Sequence, residues 1–201
     1  DVYKRQKKDT EQEIKAVCVV HNETSTGSTS RIKEVRDAIN SANHDALLMV
    51  DTISGLASME YKHDEWGIDV TVSGSQKGLM LPPGLSFNAI SEKAIKISKK
   101  SSMRRSYWDW EEQIEANCSG SFPYTPATNL LYGLKEAIKM LHEEGLDKVF
   151  KRHDRHAKAT RLAVQAWGLE VLCKEERDYS SVLTAVVLPE THNADNLRKI
   201  I

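Results

Sequence analysis

The sequence lacks any apolar run approaching the roughly 18 residues that a transmembrane helix needs. Its first residues, Asp1 to Gln6, contain no apolar signal-peptide core. It also lacks an excess of charge of either sign: 28 Lys+Arg stand against 29 Asp+Glu, for a net charge of −1. That balance argues against a dedicated nucleic-acid or membrane-surface protein, since both draw on a basic excess. Cysteine is scarce. Cys18, Cys118 and Cys173 lie far apart with no CxxC pair, which excludes disulfide scaffolds and zinc ribbons and points to reduced thiols. No internal repeat or low-complexity tract is present. What remains is an ordinary globular composition, 201 residues with 40% hydrophobic and 28% charged, long enough for a real core in about one to one and a half domains.

The first half alternates strand and helix patterns. Lys15–Val20 is a short apolar run of the kind a strand buried on both faces requires. A turn-rich stretch, residues 21–30, follows. Arg31–Ala42 then places Ile32, Val35, Ala38 and Ile39 at helical spacing. Ala46–Val50 reads as a second strand ending at Asp51, Ile68–Val72 as a third ending at Ser73-Gly74, and Leu85–Ile90 as a fourth. Strands alternating with helices imply an α/β sheet with parallel members. In the second half a Ser/Arg-rich junction (98–106) precedes Tyr107, Trp108 and Trp110. Helical patterns run over Ala127–Glu143 and, after Gly145, Leu146–Trp167. Leu169–Cys173 and Leu183–Leu188 read as strands of a smaller α/β unit, with a boundary near residue 150. Residues 1–13 read as a polar lead-in. Residues 193–201 read as the start of a helix capped by Asn193 or Asp195, so the chain reads as a piece of a longer protein.

In parallel α/β sheets ligands bind at the carboxyl ends of strands. Three successive expected strands end in His21-Asn22-Glu23-Thr24, in Asp51-Thr52 and in Ser73 to Gly78. If the strands are neighbours, one pocket holds a hydroxyl, a carboxylate and an amine. Pyridoxal phosphate needs such a set: a lysine for a Schiff base, an acid to keep its ring nitrogen protonated, and donors for the ring oxygen and phosphate. Asp51 follows a buried strand, where its charge would need a cationic partner. Each residue also has a bland reading: Asp51 as a turn or helix cap, Lys77 as a solvated loop residue. The Gly74-to-Gly78 turn lacks the spacing of a Walker loop.

The stretches AVCVVHNETSTGSTSRIKEVRDAI, ALLMVDTISGLASMEYKHDEWGIDVTVSGSQKGLMLPPGLSFNAISEKA and FPYTPATNLLYGLKEAI resemble class V aminotransferases, most closely the serine–glyoxylate and alanine–glyoxylate group. The resemblance runs from about residue 13 onward, and residues 1–6 fall outside it as a foreign junction. It implies a fold-type I α/β architecture with a mostly parallel sheet. Residues 1–150 would be the C-terminal part of the large cofactor-binding domain with a linking helix, and 151–201 the beginning of an incomplete small domain. It implies that Lys77 forms the Schiff base with pyridoxal 5'-phosphate, Asp51 pairs with the ring nitrogen, Thr24 donates to the ring's phenolic oxygen and Gln76 binds the phosphate. Thr125, in FPYTP, would reach the cofactor phosphate of a partner subunit in a homodimer. The activity implied is transfer of an amino group from L-serine to glyoxylate, giving glycine by ping-pong kinetics, with L-aspartate and alanine as alternative donors. The stacking aromatic and the substrate-carboxylate arginine would lie outside this chain, so the 201 residues alone are expected to be inactive. A truncated, non-catalytic remnant that keeps the fold is the reading from another class.

Cysteine desulfurase fits less well: Gln76, not His, precedes Lys77, and Cys118 lacks the expected loop context. Lys93–Arg105 beside Tyr107, Trp108 and Trp110 has the makings of a single-strand nucleic-acid site. A solvated helix end followed by aromatic core or interface residues is the preferred reading. His153 and His156 have i, i+3 spacing without a third ligand and read as a solvated helix face, so no metal is expected. His21 reads equally as a group touching the cofactor region or as a satisfied polar strand end, and Trp66 and Trp167 as core residues. A bacterial cytoplasm is the expected compartment, a peroxisome if the source is eukaryotic.

Overall fold

The computed structural model describes residues 2–200. Helix α1 (Val2–Lys8) precedes strand β1 (Ala16–Val20), a hairpin of β2 (Asn22–Glu23) and β3 (Ser28–Thr29), helix α2 (Ile32–Ser41), and strands β4 (Leu47–Asp51), β5 (Val70–Gly74) and β6 (Ser86–Ile90). Helices α3 (Glu92–Ser98), α4 (Trp110–Cys118), α5 (Thr128–Glu144) and α6 (Leu146–Ala166) follow, then β7 (Glu170–Val171), a 3₁₀ turn at Glu176–Asp178, β8 (Val186–Val187) and α7 (Ala194–Ile200).

The main sheet has the order β1-β4-β5-β6. β1, β4 and β5 are parallel, with Val20 opposite Asp51 and Asp51 opposite Val72. β6 closes the edge antiparallel, Asn88 opposite Val72. Side chains alternate across a strand, so the sheet has two distinct faces. Leu48, Val50, Thr71 and Ser73 are buried on one. There α2 contributes Ile32 and Ile39, and the loop after β4 contributes Tyr61 and Trp66. Cys18, Val20, Asp51, Ser86 and Asn88, on the other face, are exposed. A buried Val, Leu or Ile side chain contributes about 1.5–3 kcal/mol, so the covered face supplies most of the stability in this half.

A second apolar cluster, Leu79, Leu81, Ala137, Leu141 and Val149, packs the turn after β5 against α5 and α6. A third joins α6 to β7 through Val164, Val171 and Cys173. Gly145, at φ +84°, makes the break between α5 and α6.

Several expectations need correction. The polar lead-in contains α1, whose Gln6 is buried. The third strand starts at Val70, two residues late, although the Asp69 N–H still donates to the Leu48 carbonyl at 3.0 Å. Trp167, expected in the core, is 73% exposed just past the end of α6. Tyr107 and Trp108 are exposed as well, which rules out the core half of the core-or-interface reading and leaves the interface half untested. Trp66 does pack on the core. Asn193 is the residue that caps α7, its Oδ1 accepting from the Asp195 and Asn196 N–H groups.

Candidate active site

The carboxyl ends of β1, β4 and β5 lie side by side, and four of the five candidate residues sit on or just beyond them. Asp51 is the last residue of β4. Gln76 and Lys77 stand two and three residues past β5, in a turn closed by the Met80 N–H donating to the Lys77 carbonyl at 2.8 Å. Thr24 is exposed at the tip of the β2–β3 hairpin. That hairpin is tied to the β4 end: Asn22 Nδ2 donates to Ser54 Oγ at 2.8 Å, and Ser54 Oγ donates back to the Asn22 carbonyl at 2.8 Å. The His21 N–H donates to the Asp51 carbonyl, also at 2.8 Å.

Thr125 stands apart. It is exposed in the loop before α5, and among the described residues no hydrogen bond joins it to Asp51, Gln76 or Lys77.

The turn after β5 is built around small residues. A Cβ on Gly78 would lie 2.1 Å from the Leu56 carbonyl oxygen and 2.5 Å from Ser58 Oγ, so the turn presses its backbone onto the loop after β4. Ser75 is fully buried, donating through Oγ to the Pro82 carbonyl at 2.7 Å and accepting from the Leu85 N–H at 3.2 Å. These contacts fix the turn from below and leave Gln76 and Lys77 facing outward, both exposed.

The Lys77 amine carries no ion pair or hydrogen bond among the described residues. Asp51 Oδ1 accepts from the Ile53 N–H at 2.8 Å, a local turn bond. So the cap reading of Asp51 is realised, and it uses one oxygen. Asp51 is exposed at the end of β4, which corrects the expectation that it is a buried charge: among the described residues none packs over its side chain.

Beneath the shelf lie buried polar atoms without partners: His21 Nδ1, Asn22 Oδ1 and Ser73 Oγ. His21 is only 3% exposed and packs tilted against Tyr61, ring centroids 5.3 Å apart, and edge-on against Trp66 at 6.5 Å. Desolvation pushes its imidazole down to about 4, so the ring is neutral at physiological pH. Tyr61 shares a 2.6 Å hydrogen bond with Thr71 Oγ1, and burial raises its hydroxyl to about 12. The sequence left His21 open between two readings, and burial places it with the aromatic layer. Glu23 accepts from the Ser25 N–H and hydroxyl, which lowers its carboxyl and stiffens the Thr24 turn.

Two recesses lie elsewhere. One of about 670 Å³ opens between α1, β3 and the start of α2. One of about 290 Å³ lies between the loop after β4 and the α5–α6 corner. None of the five candidate residues lines either, so the candidate site is an open shelf. Among the described residues no group of three or more His, Cys, Asp or Glu side chains could hold a metal ion, and no helix is long and apolar enough to cross a membrane.

A free amine, a carboxylate with an uncommitted oxygen, a hydroxyl and a carboxamide at adjacent strand ends suit a planar, phosphate-bearing aldehyde. Gly78 beside Lys77, and Gly74 and Ser75 earlier in the turn, add little side-chain bulk there. The donor set therefore fits pyridoxal phosphate.

The comparisons with known proteins agree. The serine–glyoxylate aminotransferase of Methylorubrum extorquens is 50% identical over 196 residues, covering 95% of this chain and 49% of the relative. The L-aspartate–glyoxylate aminotransferase of Paracoccus denitrificans is 41% identical over 187 residues, 93% of this chain and 47% of the relative. The crystal structure of pyridoxamine–pyruvate aminotransferase from Mesorhizobium loti superposes with a TM-score of 0.87 at 30% identity, over 98% of this chain and 50% of that one. The chain thus spans about half the length of the relatives it matches. The model of the aminotransferase class-V family matches residues 3–200, so the likeness begins before residue 13 and takes in residues 3–6, which the sequence alone reads as part of a foreign junction. The chain belongs to the class-V aminotransferase family, whose members depend on pyridoxal 5'-phosphate.

Proposed function

We propose that the protein containing this chain transfers an amino group from L-serine to glyoxylate, forming glycine, with pyridoxal 5'-phosphate as cofactor. The observation that carries this is the pairing of an unpartnered Lys77 amine with the half-free Asp51 carboxylate at the ends of neighbouring strands. The relatives named for serine and glyoxylate reach 50% identity, against 41% for the one named for aspartate and glyoxylate. Aspartate is therefore the second donor to consider, and alanine the third.

When bound, the cofactor supplies an electron sink for the carbon that bears the amino group. Lys77 is its covalent anchor and, once released, the base whose Nζ takes the proton from that carbon. Asp51 holds a proton at the ring nitrogen through a charge-assisted hydrogen bond. Thr24 donates to the ring oxygen. Gln76 holds the phosphate from this chain, and Thr125, standing apart from the shelf, reaches the phosphate of a partner subunit in a homodimer. The donor leaves as a keto acid before the acceptor enters, giving ping-pong kinetics.

The division into a large unit up to residue 150 and a small one from 151 places their junction within α6. We infer that these 201 residues alone are inactive, a reading supported by the exposure of Asp51, Gln76 and Lys77. A non-catalytic protein retaining the fold is the competing reading. A reducing cytoplasm suits three unpaired cysteines.

The test is a donor competition on the full-length protein, supplied with glyoxylate, pyridoxal phosphate and equimolar serine, alanine and aspartate. Hydroxypyruvate with glycine is expected. Oxaloacetate would move the assignment to aspartate, and absence of glycine with every donor would overturn the glyoxylate reading.

A further inference from the structure

The hairpin that carries Thr24 is too small to hold its own position. β2 and β3 contribute two residues each, and an isolated two-stranded hairpin is marginal in water. Asn22 and Ser54 anchor one side of it. The other side is gripped by a segment about 150 residues away in sequence. The Ser180 N–H donates to the Gly27 carbonyl at 3.0 Å. Ser28 and Tyr179 form an antiparallel bridge, and Arg31 Nε meets Asp178 Oδ1 at 3.2 Å. Gly27 has φ +68°, and a Cβ there would stand 3.0 Å from the Ala185 nitrogen and 3.2 Å from the Leu183 oxygen. The two backbones thus meet at a separation suited to glycine.

Ser180 organises that segment. It is 1% exposed, and its Oγ accepts from the Val182 and Leu183 N–H groups at 3.1 Å each. Its carbonyl accepts from Arg161 Nη1 of α6 at 3.0 Å. The Arg161 guanidinium also lies 4.6 Å from the centroid of the Tyr179 ring. A hydrogen-bonded path therefore runs from α6 through Ser180 to Gly27, three residues from Thr24.

We propose that Ser180 is a positioning residue for Thr24, folding residues 178–185 into a strap across Gly27 that sets where the Thr24 hydroxyl stands. The proposal rests on Thr24 being the donor to the cofactor's ring oxygen. Without the strap the hairpin keeps its ties to the β4 end, Asn22 with Ser54 and the His21 N–H on the Asp51 carbonyl, and its tip swings.

The test uses the full-length protein with Ser180→Ala, Arg161→Gln and, as reference, Thr24→Val. Amide hydrogen exchange is read in the cofactor-free form, and the pH midpoint of the cofactor's visible absorption in the loaded form. Ser180→Ala is expected to speed exchange in residues 22–29 at least about tenfold, since it removes both hydrogen bonds that the Ser180 Oγ accepts, with β4 unchanged. Its absorption midpoint should move in the same direction as that of Thr24→Val. Wild-type exchange in residues 22–29 for both strap variants would overturn the proposal, as would faster exchange in β4 to the same degree. If Thr24→Val leaves the midpoint unmoved, it is the Thr24 assignment that fails, and the exchange data still decide whether the strap holds the hairpin. Should Ser180→Ala not fold, Arg161→Gln decides by the same readings.

Discussion

Arg36 donates from Nη2 to Asp69 Oδ2 at 2.5 Å, and their side chains are only 10% and 7% exposed. The same carboxylate accepts from the Leu48 N–H at 2.9 Å and from the Ser91 hydroxyl at 3.0 Å. Ser91 in turn caps α3, accepting from the Ala94 N–H. One aspartate thus joins α2, β4, the start of β5 and α3. Removing one member of a buried ion pair leaves the other charge uncompensated, at a cost of about 3–5 kcal/mol. Asp69→Ala is expected to lower unfolding stability by that amount in urea titration of the full-length protein. A loss under about 1 kcal/mol would mean that water reaches Arg36 and that the hub is not dry.

Lys77 and Asp51 give the direct test of the chemistry. Lys77→Ala is expected to abolish turnover, because both the anchor and the proton-transferring base are gone. Asp51→Asn should retain some cofactor and slow proton abstraction severely, since a carboxamide does not keep the ring nitrogen protonated. Steady-state rates with serine and glyoxylate, alongside bound cofactor measured by absorbance, separate the two effects. Near-normal turnover in Lys77→Ala would sink the scheme.

His21 makes stability depend on pH. Burial holds its folded-state value at about 4, against 6.5 for the free side chain. The unfolded chain therefore takes up a proton near pH 6.5 that the folded protein refuses until about 4. The resulting stability is complete above pH 6.5 and is lost as pH falls from 6.5 to 4, in all about 3 kcal/mol. His21→Phe keeps an aromatic ring against Tyr61 and Trp66 and removes the titration. Urea midpoints measured at about pH 7.5 and 4.5 should differ less in that variant than in the parent. An equal difference would place the pH sensitivity on other groups.

The strands at the site were legible because each is an unbroken apolar run, as in Ala16–Val20 and Leu47–Val50, although the expected burial of β1 on both faces does not hold: Cys18 and Val20 are exposed. The polar residues that follow each run mark the strand ends, and chain order alone places Thr24, Asp51 and Lys77 there. The strap was not legible. Ser180 has no periodic signal, and its contact with Gly27 is made by backbone atoms that any sequence carries. The exposure of Asp51 escaped for a related reason: alternation tells which residues share a face, not whether anything covers that face. Gln6 and Trp167 failed in opposite directions, because burial of a single residue depends on what packs beside it.

Gly78 and Gly74 flank Lys77 with opposite tolerances. A methyl group at Gly78 would meet the Leu56 carbonyl oxygen at 2.1 Å and Ser58 Oγ at 2.5 Å, and the backbone oxygen has no rotamer by which to yield. Gly78→Ala must therefore lift the turn from the β4 loop, costing about 1–3 kcal/mol as overpacking does and carrying the Lys77 amine with it. A methyl group at Gly74 meets as its nearest atom Gln76 Oε1 at 2.8 Å, the far end of a flexible side chain. Gly74→Ala should leave the fold intact and displace the carboxamide assigned to the phosphate. Thermal melting and equilibrium dialysis of pyridoxal phosphate distinguish the two. Gly78→Ala is expected to lower both melting temperature and affinity, Gly74→Ala affinity alone. A Gly78→Ala protein that melts and binds like its parent would show that the turn is not pinned from below and that Lys77 finds its place by another route.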